Sequence, residues 1–268
     1  MEPPVAKCVN DILEYLKSYR FQFGKGLRVD DFIFRGIANE AHLLLPKALR
    51  VTVGGKDKYP VHELEMLARF LKEATTLLPF SFYDIDLRLM QYAQHYGVPT
   101  RLLDFTANPL VALYFASTKE FEKDGSFWIV KANTFHNWTF ADNDSKFANS
   151  GWTMDSIMQN IIDGLSYQDN DAGGKKVKER PLIYVPHYID NRMSSQVSRM
   201  MIWGENRISL EKMAEGENWM DLHSLGAKIV RKDDKRFLSK ITIPKEVKLS
   251  ILEELDLLGI NEKTVFQG

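Results

Sequence analysis

The chain has 268 residues, 44% of them hydrophobic and 26% charged, with a formal net charge of −1. That composition sustains a hydrophobic core and excludes a disordered chain, and the charge balance excludes a protein that coats nucleic acid by bulk electrostatics. Cys8 is the single cysteine, which excludes an intrachain disulfide and a Cys-based zinc site.

A lone thiol points to a reducing, cytoplasmic setting. The first residues carry no apolar signal core, and no run is long enough to cross a membrane. The six histidines never fall at ligand spacing, so no metal is expected.

Residues 5–19 place Val9, Ile12, Leu13, Leu16 and Tyr19 on one side at helical spacing. Residues 31–36 form a short apolar strand that ends in Arg35 and Gly36. A helix broken by Pro46 is expected over 40–50, then a surface loop over 51–60. Residues 62–78 repeat Leu64, Leu67, Ala68 and Leu71 as an amphipathic helix that Pro79 stops. A second helix over 84–96 is ended by Gly97 and Pro99.

Residues 94–116 organise the rest. Gln94, His95, Thr100, Arg101, Asp104 and Thr106 come close together, and residues 110–116 are almost wholly apolar. The spacing predicts a short strand within 98–104. A helix then starts with Asn108 as N-cap and Pro109 at its first position. A strand handing its end to a buried helix often presents polar groups to a ligand. The alternative is a structural turn fixed by an Arg101–Asp104 pair, which their closeness in sequence favours slightly.

Further strands are expected at 126–130, 181–186, 199–204 and 236–243, and a last amphipathic helix at 247–258 with Gly259 beyond it. Residues 135–175 are rich in Asn, Asp and Gly and read as an insertion holding a short helix at 154–162. Strands and helices do not alternate regularly. The expectation is one α+β domain over 1–268 with a mostly antiparallel central sheet flanked by helices; residues 1–30 supply an N-terminal helix and lead-in.

Several of these residues form a recognisable set: Phe34-Arg35-Gly36, then Asn39-Glu40, then 94–104 with Ala112 to Ala116, then Asn191-Arg192-Met193 with Gln196, then 258–266. Together they resemble the FRG domain family, named for its Phe/Tyr-Arg-Gly motif. Where that family usually follows the glutamine with glycine, this chain has Val197.

The motif order is similar to that of ADP-ribosyltransferases, so the resemblance implies an ADP-ribosyltransferase-like fold and NAD as a substrate. On that basis Arg35, Thr106, Gln196 and Asp104 are the catalytic candidates. Arg35, Gly36, His95, Thr100 and Arg101 are the NAD-binding ones. Arg35 would hold the ribose and diphosphate, and Thr106 the nicotinamide ribose. Gln196 cannot supply the negative charge that a ribosyl cation needs, which leaves Asp104, Glu40 or Glu205 to do so. The role implied is that of a bacterial or phage toxin or defence protein modifying a macromolecule, protein or nucleic acid, with room for an antitoxin or regulatory partner. The alternative is a non-catalytic nucleotide- or nucleic-acid-binding module.

Overall fold

The computed structural model describes residues 4–22, 31–50, 59–74, 76, 78, 85–140, 180–186, 188–204, 206–214 and 237–266. Along them run α1 (Val9–Gln22), β1 (Phe32–Ile37), α2 (Lys47–Arg50), α3 (Tyr59–Ala74), α4 (Leu87–His95), β2 (Leu102–Thr106) and α5 (Pro109–Ser117). There follow β3 (Gly125–Lys131), α6 (Ala132–Phe140), β4 (Leu182–Tyr184), α7 (Asn191–Ser195), β5 (Ser198–Ile202) and α8 (Leu210–Met213). The last are β6 (Leu238–Ile243), a 3-10 turn (Lys245–Val247), α9 (Lys248–Leu257) and α10 (Glu262–Val265). The strands form one six-stranded sheet, ordered β4-β5-β2-β1-β3-β6, and each neighbouring pair is antiparallel. This is an α+β architecture with helices on both faces of the sheet.

Side chains alternate across a strand, so each face collects its own core. On one face Phe32, Phe34, Phe127, Ile129, Ile241 and Ile243 pack under α1, α5 and α9. Leu102, Met200, Ile202, Leu182 and Tyr184 continue that face under α3, α4 and α7. The other face carries Ile33, Leu103, Phe105, Trp128, Val130 and Met201 against Leu44, Leu49, Phe135 and Leu210. Central strands covered on both sides need apolar residues at nearly every position, which is why β3 is buried from Gly125 to Val130.

Helix α5 is apolar all round because it is enclosed, lying between the sheet and α9. Asn108 caps it, its Oδ1 accepting from the Leu110 N–H at 2.9 Å, with Pro109 at the first turn. The helix sits unusually close to the strands. A Cβ on Gly36 would fall 1.7 Å from the Ala112 carbonyl oxygen, and one on Gly125 2.4 Å from that of Ala116. Two glycines below and two alanines above therefore set the helix–sheet distance.

Three local expectations change. Within 40–50 only Lys47–Arg50 is helical. Asn39 instead bonds the Ala41 N–H at 3.1 Å, a side-chain turn that competes with helix, and Pro46 defers the start. The strand expected within 98–104 begins only at Leu102. The expected insertion opens with a helix, Ala132–Phe140, whose Phe135 joins the core. Residues 141–179, including the helix expected at 154–162, lie outside the described residues. Among the described residues no helix is long and apolar enough to cross a membrane.

Candidate functional site

The central pair of strands barely pairs. β1 and β2 share one registered position, Phe34 with Thr106, whereas every residue of β1 is in register with β3. Where β1 and β2 part, a cavity of about 310 Å³ opens. Its lining comes from β1 (Phe34, Arg35, Gly36), α4 (Gln91, Gln94, His95), β2 (Asp104, Phe105, Thr106), α5 (Phe115), α7 with its cap (Arg192, Met193, Gln196) and β5 (Ser198, Met200). That volume lies at the lower end for small-molecule pockets.

By alternation Arg35 belongs to the opposite pleat from Phe34. Arg35 nevertheless lines the cavity, and the gap between the strands lets its Nη1 donate to the main-chain carbonyl of Asp104. The guanidinium takes the place of a missing strand partner. Burial pushes its pKa down; the Asp104 carboxylate opposes that shift and the nearby charge of Arg50 adds to it. Arg35 Nε is buried without a hydrogen-bond partner among the described residues.

Asp104 is exposed to the cavity mouth, between buried Leu103 and Phe105. Its Oδ1 accepts from Gln94 Nε2 at 2.7 Å, and Gln94 Oε1 accepts in turn from Thr100 Oγ1 at 2.7 Å. The expected Arg101–Asp104 pair is not formed. Arg101 is buried and bonds Glu63 through Nε at 2.9 Å and Nη2 at 2.8 Å, while Nη1 meets the carbonyls of Trp203 and Gly204. A guanidinium with so many donors needs several acceptors when desolvated. Glu63 on α3 and the end of β5 supply them; one flanking carboxylate does not. Arg101 and Thr100 therefore lie outside the lining, and Thr100 touches the site only through Gln94.

Thr106 lines the cavity, but its hydroxyl is committed. It donates to the main-chain carbonyl of Gln196 and accepts from the Asn108 N–H at 2.9 Å. Gln196 stands not on a strand but at the C-cap of α7, and its Nε2 donates to the Val265 carbonyl at 3.1 Å. Val197 follows with φ of +47°, held there by its N–H to Ser194 and its carbonyl to Ala107, both at 3.0 Å.

His95 Nδ1 meets Asp190 Oδ2 at 3.0 Å, and Asp190 also caps α7 through the Met193 N–H at 2.7 Å. The end of α4 is thereby tied to the start of α7. Gly36 lines the cavity and also admits α5 to the sheet. Glu40 pairs with Lys240 at 2.9 Å and is not part of the lining, and Glu205 lies outside the described residues.

The sequence reading did not include Gln91, Phe115 and Arg192 among the site residues. Gln91, Gln94 and His95 stand at i, i+3 and i+4, one face of α4, and that spacing was available. For Arg192 the available signal was its place in the Asn191-Arg192-Met193 segment that resembles the family motif. Its guanidinium stacks 4.8 Å over the Phe266 ring, and Phe266 packs edge-on to Phe115. The chain's last described residue thus braces the cavity wall.

No curated protein and no solved structure matches the chain. Its residues 30–125 match the family model of the FRG domain, a span that includes Arg35, Gly36, the α4 face, β2 and α5 but not Arg192 or Gln196. The chain carries an FRG domain across residues 30–125.

Proposed function

We propose that the cavity binds NAD and that the protein transfers ADP-ribose to a macromolecular acceptor, as a toxin or defence effector would. One observation carries the reading. Two arginines, Arg35 and Arg192, line the cavity without a direct ion pair to a carboxylate among the described residues, and an aspartate, Asp104, lines the same space. Charges of both signs in one pocket suit a ligand carrying both signs. NAD does so: the diphosphate is the anion and the nicotinamide ring the cation.

In the reaction, the bond between the ribose C1′ and the nicotinamide nitrogen breaks, and its electron pair neutralises the ring. The ribosyl cation left behind is stabilised by fixed charge rather than by covalent help. Asp104 supplies that charge, held in place by Gln94. An acceptor nucleophile then bonds C1′ and gives up its proton to solvent, while neutral nicotinamide leaves. Gly36 and Thr106 shape the cavity; Thr106 acts by fastening Gln196 to β2.

A second reading, a nucleotide-binding module without turnover, is favoured by the commitment of the Thr106 hydroxyl and the Gln196 amide nitrogen to main-chain carbonyls. Thermal melts and nicotinamide release separate the two. NAD is expected to raise the melting temperature, and Arg35→Ala to reduce that shift by removing charge-assisted bonds worth about 1.5–3 kcal/mol each. A melt that saturating NAD leaves unmoved counts against both dinucleotide readings. A shift without nicotinamide release favours the module.

A further inference from the structure

We infer that Gln91 reads an uncharged N–H group of the ligand at the floor of the cavity, an assignment that rests on the dinucleotide reading above. Gln91 is only 1% exposed, yet it lines the cavity. Its Nε2 donates to the Tyr184 hydroxyl at 3.2 Å, and that hydroxyl donates to Met200 Sδ at 3.2 Å. In this orientation Gln91 Oε1 is left buried without a hydrogen-bond partner among the described residues.

A buried acceptor left bare is destabilising, and so is conspicuous in a residue that lines a cavity. The neighbouring Gln94 offers no such atom, since Oε1 takes the Thr100 hydroxyl and Nε2 serves Asp104. Asp104 at the mouth suits a cation. Gln91, deeper and neutral, suits a neutral donor, because burying a charge against a lone dipole is costly. In a dinucleotide two groups have that chemistry: the carboxamide of nicotinamide and the exocyclic amine of adenine.

The test compares three probes by calorimetric titration: NAD, its nicotinic acid analogue, which lacks the carboxamide NH₂, and its hypoxanthine analogue, which lacks the adenine amine. The intact protein is expected to bind one analogue about tenfold or more weakly than NAD, because that analogue leaves the acceptor unpaired. Which analogue is rejected identifies the group read. Gln91→Met keeps the shape and is expected to bind that analogue and NAD alike. Because Gln91→Met strands the Tyr184 hydroxyl, the double variant Gln91→Met, Tyr184→Phe removes both polar partners together and is expected to show the same loss of discrimination.

Equal binding of all three probes by the intact protein overturns the assignment. So does discrimination that survives in both variants, and in either case the dinucleotide reading stands. Failure of every probe to bind overturns that reading, and this assignment falls with it.

Discussion

Asp104 shows how one residue's neighbours decide its role. Its carboxylate is held by a neutral amide, and its main-chain carbonyl by Arg35. Asp104→Asn leaves Arg101 on Glu63 and keeps the main-chain carbonyl that Arg35 bonds, removing only the through-space charge that favours the Arg35 guanidinium. The expected outcome is a melting temperature nearly unchanged with nicotinamide release reduced by about a hundredfold or more, the scale of losing one stabilising group in the transition state. A normal rate in the Asn variant would remove Asp104 from the mechanism. Val197 is the second such case. A β-branched residue in the left-handed region costs about 1–2 kcal/mol, and glycine adopts it freely. Val197→Gly is expected to stabilise the fold by about 1 kcal/mol, less than the full strain because glycine loses more backbone entropy on folding. A rise in melting temperature of about 2–4 °C would register it.

At the scale of elements, the seat of α5 on β1 sets how the cavity is built. Gly36 serves both: it passes under Ala112 and lines the cavity. A methyl group there would meet the main chain of α5, which cannot rotate aside. Gly36→Ala is therefore expected to cost about 3 kcal/mol or more through overpacking, read as a large drop in denaturant midpoint. Substituting Ala107, whose contact with the Val197 carbonyl is main-chain, should have little effect by comparison. The other wall is braced from a distance. Ser195 and Gln196 both donate to the Val265 carbonyl, and Arg192 stacks on Phe266. A segment some seventy residues on thus holds α7 in place.

At the scale of the whole molecule, the matched span of 30–125 is not the whole site. It holds β1 and β2 but stops at Gly125, the first residue of β3, so it lacks the strand that pairs with β1 and also β5, which pairs with β2 along all five of its positions. It also lacks α9, which covers α5. A fragment limited to 30–125 would leave two strand edges and the apolar α5 bare. Such a fragment is expected to lack cooperative thermal unfolding by circular dichroism and to give no NAD-dependent shift. A cooperative transition in the fragment would show that the remaining strands are dispensable for folding.

The strand that ends in Arg35 and Gly36, the Asn108-Pro109 helix start and the last helix with Gly259 beyond it were legible from the chain alone. Caps, turns and apolar periodicity act between residues a few positions apart. The same locality made the antiparallel α+β class readable. It also explains what was not legible. Arg101 was expected beside Asp104 because the two are close in sequence, yet Glu63 holds it from 38 positions away. That Arg35 reaches the cavity depends on β1 and β2 parting after a single pair. That Gln91 keeps a bare acceptor depends on where Tyr184 sends its proton. Local sequence determined which elements form and which polar groups they carry. Only the tertiary structure decided which of those groups partner one another and which stay unpartnered among the described residues, because a desolvated charge or amide is satisfied by whatever the fold brings within about 3 Å of it.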